Sequence, residues 1–299
     1  MHGTALLCEP LRQEAYRPGQ MEPLEALLAP YIQAWQRHGV RFGTRWWDGR
    51  SLEQYAALFS TVVLEVDSRS MPSPSLLGRL RRGMAGDGWL TVIVRDDVLH
   101  YRFPHGHPDR RYRGERNDCF LDPAVLEERV LEPLEVFGDA PGVVVLDIPR
   151  IYPTEGPVFT QVLSRLDRLL SELPRTQRFA VALHNGSYLL PDYLACLRHH
   201  GVSHVLCCEA DMPPLLEQLQ MPDMLHRGPV LVEAPAERMD EEVLVGIAAV
   251  VGRALEEAWP LMVCAGDRPQ DSTLAALLAL MTILNPELAK RSIVRRSAA

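Results

Sequence analysis

The chain has 299 residues, of which 47% are hydrophobic and 23% charged, a composition typical of globular proteins and not of disordered ones. Its formal net charge of −8 argues against nonspecific binding to nucleic acid or to anionic membranes. The six cysteines show no CxxC spacing, no window has the roughly 18 apolar residues of a membrane span, and the first residues lack a secretory-signal pattern. We therefore expect a cytoplasmic protein with reduced cysteines.

Residues 1–39 are predicted to form a helical extension of the main domain. The segment Met21–Arg37 has apolar side chains at helical spacing, at Leu24, Leu28 and Ile32 among others. Pro30 interrupts this pattern, so a kink or two short helices are expected. We interpret the segment as packing that closes one end of the domain.

A strand–loop–helix unit then recurs about eight times through residues 40–290. The predicted strands are Val40–Trp47, Thr61–Ser68, Trp89–Asp97, Val143–Pro149, Phe179–Asn185, His204–Glu209, Pro229–Ala234 and Trp259–Gly266. Eight strands, each followed by a helix, predict an α/β fold: a single (β/α)8 TIM-like barrel. A doubly wound open sheet is the alternative, but no Gly-rich phosphate motif follows the first strand. Residues 291–299 are predicted to be a disordered tail.

The segment Val98–Asp118 is a long polar loop between the third strand and its helix. Loops of this length in compact domains are usually functional. Its many arginines would repel a cation and suit an anionic ligand, such as a phosphate or carboxylate. A solvated surface loop is the simpler interpretation.

Four places in the chain resemble the bacterial family known as domain of unknown function 72. Phe42-Gly43-Thr44 with Trp46-Trp47 is similar to its opening Gly-Thr-Ser-Gly-Trp, and Phe59–Pro74 to its second strand and Pro-Ser-Pro helix start. Asp147-Ile148-Pro149 falls where the family has Gln-Leu-Pro, and Phe179–Tyr188 with Gly201-Val202 resembles its fifth-strand segment. The resemblance covers about residues 40–285 and implies a TIM-barrel-like fold.

The chain departs from that family at positions the family keeps polar. The family's acidic residue on the second strand falls at Val63, and its fifth-strand Glu and Arg fall at Ala182 and His184. The resemblance therefore implies the fold but no activity.

In such barrels, functional sites lie at the carboxyl ends of the strands, and side chains alternate inward and outward along each strand. This alternation predicts Glu65 and Asp67 in the barrel mouth. Polar residues also end later strands, with Cys208 and Glu209 on strand six. The candidate catalytic residues are Glu65, Asp67, Asp147, His184 and Glu233, and the candidate ligand-binding residues are Arg45, Trp46, Arg69, Arg95, Asn185 and Asp267.

Three interpretations of these residues stay open. The carboxylates and His184 could hold a divalent metal, Mg²⁺, Mn²⁺ or Zn²⁺, for metal-assisted hydrolysis. A carboxylate pair such as Glu65 and Asp147 could instead carry out acid–base catalysis. Alternatively, the acids pair with arginines at the strand ends in a network without chemistry, the arginines being Arg45, Arg69, Arg95 and Arg150.

The sequence thus leaves open whether the protein is an enzyme. One hypothesis is a hydrolase-type enzyme on an anionic or sugar-like small substrate, with a divalent metal as a candidate cofactor. The other is a catalytically silent barrel that serves as a protein-binding or scaffolding module. The expected partner is accordingly a small-molecule ligand or a protein, and neither nucleic acid nor a membrane.

Overall fold

The structure is a computed structural model that describes residues 24–45, 52–69, 71–83, 89–135, 141–152, 158–226, 228–266 and 270–284. Its eight strands form one parallel sheet, in the order β1-β8-β7-β6-β5-β4-β3-β2. They are β1 Val40–Gly43, β2 Thr61–Val66, β3 Trp89–Val94, β4 Pro141–Ile148, β5 Phe179–Leu183, β6 Ser203–Cys207, β7 Val230–Ala234 and β8 Leu261–Ala265. The predicted (β/α)8 barrel is confirmed. Residues 1–23 of the predicted extension 1–39, and the predicted tail 291–299, lie outside the described residues.

Helices alternate with the strands and form the outer layer. They are α1 Leu24–Gln36, α2 Leu52–Leu58, α3 Pro74–Gly83, α4, α5 Phe159–Glu172, α6 Pro191–His200, α7 Leu215–Gln220, α8 Glu241–Glu256 and α9 Asp271–Ile283. Helix α4 runs from Pro123–Leu126 through a π turn, Glu127–Leu131, to Glu132–Leu134. Among the described helices, none has the length and apolar character needed to cross a lipid bilayer.

Helix α1 packs against β1, α2 and α9 on the outside of the barrel. Its buried side chains are Leu28, Ile32 and Trp35. Pro30 lies inside this helix, and the helix continues through it. Of the two outcomes expected at Pro30, two short helices is therefore wrong, because packing on β1 and α9 holds the segment in one helix.

Alternation along the strands separates two buried layers. On one face, residues such as Val62, Val92, Leu146 and Val232 are buried toward the helices. On the other face, side chains fill the barrel, and the same face becomes charged at the carboxyl ends of the strands. Strand pairing sets this register, since Asp147 pairs with Ala182 of β5 and Glu65 with Ile93 of β3.

The barrel closes between β1 and β2, at a junction we call the seam. No ladder pairs the two strands within the described residues, but the Ser60 N–H donates to the Phe42 carbonyl at 3.0 Å. The Phe42 N–H in turn donates to the Ser60 hydroxyl at 3.0 Å. A Cβ on Gly43 would lie 2.6 Å from Thr61 Cγ2, so the close approach requires glycine.

Candidate active site at the barrel mouth

Charged side chains from seven strand ends, β1 to β7, converge at the carboxyl end of the barrel. We call this group the mouth cluster, and its members are Arg45, Glu65, Arg95, Asp147, His184, Glu209 and Glu233. Four of the five predicted catalytic residues belong to it. Their catalytic roles stay predictions, but the expectation that their side chains meet agrees with the structure.

Arg45 lies among three carboxylates of the mouth cluster. Its Nε is 3.0 Å from Glu65 Oε1, and its Nη2 is 3.5 Å from Asp147 Oδ2 and 3.7 Å from Glu233 Oε2. Burial alone would lower the pKa of Arg45, but the three carboxylates outweigh it and raise the pKa above its ordinary value. Arg45 is therefore a permanent positive charge that contacts Glu65 across the seam and Asp147 and Glu233 inside the mouth.

Asp147 is the most heavily bonded acid of the mouth cluster, and its side chain is only 6% exposed. Arg95 Nε donates to its Oδ2 at 2.7 Å, and His184 Nε2 lies 2.5 Å from its Oδ1. The register of the strands explains this contact. Asp147 of β4 pairs with Ala182 of β5, and His184 follows Ala182 by two residues, so its side chain points to the same face of the sheet.

His184 lies between two carboxylates. Its Nδ1 is 3.0 Å from Oε1 of Glu209, a residue to which the sequence pattern gave a place at the end of strand six but no role. Burial opposes the charge of His184, but Asp147 and Glu209 overcome it and raise its pKa to about 10. The contact with His184 lowers the pKa of Glu209. His184 is thus a cation at neutral pH.

Two acids of the mouth cluster hold protons more tightly than usual. Burial, opposed by Arg45 and reinforced by Asp147 and Glu233, raises the pKa of Glu65 to about 7. Burial, with Asp147 and Glu209 nearby, also raises the pKa of Glu233. A carboxyl group that titrates near neutral pH is suited to both accepting and donating a proton.

Three other predicted residues hold the loops around the mouth. Asp67 accepts the Arg69 N–H at 2.7 Å, and Arg69 Nη1 lies 3.3 Å from Asp97. The Asn185 amide bonds the backbone of Ile151 at both ends, at 2.8 and 2.9 Å, and so fixes the loop after β4. Trp46 and Asp267 lie outside the described residues.

The pairing of acids with arginines, one of the three sequence interpretations, agrees with the contacts of the mouth. Arg45 and Arg95 bind the inner carboxylates, while Arg150 pairs with Asp211 at the rim. A guanidinium group therefore occupies the space among Glu65, Asp147 and Glu233 that a divalent cation would need. This donor arrangement fits acid–base chemistry better than a metal centre.

The loop after β3 packs tightly and borders a groove. Asp97 contacts His107 Nε2 at 3.1 Å, and the Asn117 amide donates to the Asp97 carbonyl at 2.7 Å. Between this loop and the segment after β4 lies a cavity of about 380 Å³, which we call the basic groove. Its described lining is His100, Tyr101, Arg102, Phe103, Pro104, His105, Gly114, Pro149, Arg150, Ile151 and Tyr152. That lining contains two arginines and two histidines but no carboxylate.

Comparison with solved structures agrees with this fold. The chain is similar to a DUF72 (domain of unknown function 72) family protein from Enterococcus faecalis, with a TM-score of 0.54, 10% identity, and coverage of 82% of this chain and 95% of that one. The fold is the one seen in that DUF72 barrel. The barrel implied by the sequence resemblance is therefore confirmed.

Two further solved structures are similar over most of their length. A DUF72 family protein from Thermotoga maritima gives a TM-score of 0.49 and 16% identity, with coverage of 83% of this chain and 98% of that one. A xylose isomerase domain protein from Planctomyces limnophilus gives 0.48 and 14%, with coverage of 84% and 97%. The sequence matches no protein-family model, and it matches no curated protein.

Proposed function

We propose that this barrel is a hydrolase-type enzyme that uses acid–base chemistry at its mouth on a small anionic or sugar-like substrate. The observation that supports this is an imbalance of charge. The four carboxylates of Glu65, Asp147, Glu209 and Glu233 face three cations, Arg45, Arg95 and His184. In a largely buried site the surplus negative charge favours uptake of one proton, as the raised pKa of Glu65 reflects.

The geometry suggests different roles for the two acids with raised pKa values. Glu65, in its protonated form, would donate its proton to the leaving-group oxygen as the bond between that oxygen and the rest of the substrate breaks. Glu233 lines a cavity of about 20 Å³ together with Arg45 and Glu209, and a cavity of this size can accommodate one water molecule. Glu233 would take a proton from that water as it attacks. His184, a cation, would stabilise negative charge that develops in the transition state.

The basic groove supports the choice of substrate class. It lies beyond the ends of β3 and β4, the two strands that bring Arg95 and Asp147 to the mouth. Arg102 and Arg150 can bind a phosphate or carboxylate, and Phe103 and Tyr152 offer rings for packing against a sugar. Its volume is within the range of small-molecule sites.

A panel of chromogenic phosphate esters and glycosides, with and without a chelator, tests the proposal. We expect hydrolysis of at least one ester or glycoside that persists in chelator, and a thermal shift with the same compound. Glu65→Gln should lower kcat about 100-fold or more while the protein stays folded, because a glutamine amide cannot donate a proton to the leaving group. Glu172→Gln, at an exposed pair with Arg168, is the matched control and should leave kcat unchanged.

Two results would overturn the proposal. Equal turnover by wild type and Glu65→Gln would remove the proton role of Glu65. A folded protein that neither hydrolyses nor binds any compound of the panel would favour the barrel as a protein-binding module.

A further inference from the structure

A second cluster of ionisable side chains lies on the outer helices. Asp167 on α5 faces Cys196 and His200 on α6. His200 Nε2 is 2.8 Å from Asp167 Oδ1, and Cys196 Sγ is 3.7 Å from the same oxygen. One ligand atom from each residue lies within 4.8 Å of the other two. We call this group the α5–α6 trio.

The local structure explains why these three groups meet. Cys196 and His200 are four residues apart on one helix, so their side chains lie on the same face. Gly201, with a φ of 68°, ends α6 directly after His200. Helix α5 packs against α6 and supplies the carboxylate.

The trio lies at the end of the barrel opposite the mouth. His200 comes just before Ser203, where β6 begins, whereas the mouth cluster follows the last residues of the strands. The trio is therefore distinct from the mouth cluster, and the proposed reaction does not use it.

The partners of the Asp167 carboxylate also differ from those of the mouth acids. In the mouth, Glu65, Asp147 and Glu233 face guanidinium groups, which cannot bind a metal ion. In the trio, the carboxylate faces a thiol, which binds metal as the thiolate, and an imidazole, which binds metal in its neutral form. A simple surface ion pair between Asp167 and His200 would not involve the thiol.

We propose that Asp167, Cys196 and His200 bind a zinc ion that links α5 to α6. One sulfur, one nitrogen and one oxygen donor form a set that zinc accepts in tetrahedral geometry. Ligand atoms around tetrahedral zinc lie about 3.5 Å apart, close to the separations of the trio. On binding, the Cys196 thiol releases its proton to solvent and the thiolate coordinates the ion, so that affinity falls as the pH falls.

The site is accessible and has room for a fourth ligand. Asp167 is exposed, while Cys196 and His200 are partly buried. An ion can therefore enter from solvent, and three protein ligands leave one tetrahedral position for water or for an external donor. In this arrangement zinc stabilises the packing of two neighbouring helices, because it binds the folded chain but not the unfolded one.

Cobalt titration of the full chain after treatment with a chelator tests this site. Co²⁺ bound by a thiolate gives a near-ultraviolet charge-transfer band, and tetrahedral geometry gives visible absorption. Zn²⁺ should displace the Co²⁺ and abolish both absorption features. We expect one equivalent of Co²⁺ per chain and a higher melting temperature with Zn²⁺. Cys196→Ser should abolish the charge-transfer band, and His200→Ala or Asp167→Asn should weaken Zn²⁺ binding by about tenfold or more.

The chain offers a matched control in Cys119, an exposed free thiol elsewhere on the surface. Cys119→Ser should leave the band and the thermal shift unchanged. The melting temperature of Cys196→Ser in chelator should equal that of the wild type, which shows that the variant folds.

Three results would overturn the assignment. One is the absence of a charge-transfer band with the folded wild type, and another is a band that survives Cys196→Ser. A cation whose binding is lost in His184→Ala but kept in His200→Ala would lie in the mouth instead.

Discussion

Two arginines on the same face of β1 have different surroundings at the two ends of the barrel. Arg41 and Arg45 are four residues apart at β1, so both point into the barrel. At the amino end, the Arg41 guanidinium stacks over the Trp89 ring, 4.8 Å from its centroid. At the carboxyl end, Arg45 lies among three carboxylates.

The amino end is packed for stability. The Thr61 and Thr91 hydroxyl groups both contact the sulfur of Met262, and a Cβ on Gly142 would lie 2.2 Å from the Trp89 ring. Pairing between β3 and β4 shifts register beside Gly142, which makes room for the indole. The carboxyl end instead brings carboxylates, arginines and an imidazole into direct contact, so that charge and proton exchange are combined there.

The largest expected effect concerns the mouth. Asp147→Ala should lower the free energy of unfolding by about 3–5 kcal/mol, because it removes a buried carboxylate that contacts His184, Arg45 and Arg95. Urea unfolding of wild type and variant measures this. Glu172→Ala at the surface should change it by about 0.5 kcal/mol or less. If Asp147→Ala lowers the free energy of unfolding no more than Glu172→Ala does, the mouth cluster does not stabilise the fold.

The amino end should respond to steric change. Gly142→Ala should cost about 1–3 kcal/mol, because the new methyl group overlaps the buried Trp89 ring. Gly252→Ala is the matched control, since nothing lies within 4 Å of its added Cβ on α8. That change should stabilise the protein by about 0.5–1 kcal/mol. Parallel urea unfolding distinguishes the two, and destabilisation of similar size would contradict the packing described for the amino end.

Stability should depend on pH through the mouth. The pKa of Glu65 is raised from 4.5 to about 7 by folding, so the native state binds more protons than the unfolded state within that range. Stability should therefore fall as the pH rises from 4.5 to 7, by about 1–3 kcal/mol from this residue. His184, whose pKa is raised from 6.5 to about 10, adds a further fall at higher pH.

Unfolding of wild type and Glu65→Gln at pH 5 and pH 7 isolates the contribution of Glu65. In the variant, the free energy of unfolding should change much less between pH 5 and pH 7 than it does in the wild type. A slope that persists unchanged would show that Glu65 keeps an ordinary pKa. Arg41→Gln at the other end should leave the slope as in the wild type.

The smallest effect on stability is expected in the basic groove. Arg150 pairs with Asp211 at the surface, and both side chains are well exposed. Arg150→Gln should change stability by less than about 1 kcal/mol. The same change should weaken binding of a phosphate ester, measured by titration calorimetry, whereas Arg253→Gln on α8 should not. Equal affinity in the two variants would exclude Arg150 from ligand binding.

Much of this arrangement could be predicted from local pattern. Alternation along strand two predicted Glu65 and Asp67 in the mouth, and Glu65 belongs to the mouth cluster whereas Asp67 contacts Arg69. Positions at strand ends predicted Asp147, His184 and Glu233 at the same end of the barrel. Strand ends were less accurate. The predicted third strand runs to Asp97, but β3 stops at Val94 because Asp96 caps a 3₁₀ turn instead.

What the pattern did not predict depends on pairing between distant segments. Asp167 lies 29 residues before Cys196, and only the packing of α5 on α6 brings the two together. The double amide contact of Asn185 is equally invisible in the sequence, since any polar residue at a strand end has the same pattern. The contact of Glu209 with His184 likewise joins residues from two different strand ends.

Protonation of Glu65 should also affect how often the barrel opens at the seam between β1 and β2. Amide protons beside the seam should exchange with deuterium sooner than those of the central strands, because fewer backbone bonds must break there. Arg45 and Glu65 stand on opposite sides of the seam and hold it closed by charge. Each time Glu65 takes up a proton, that attraction weakens, so we expect the barrel wall to open more often at pH 6 than at pH 8.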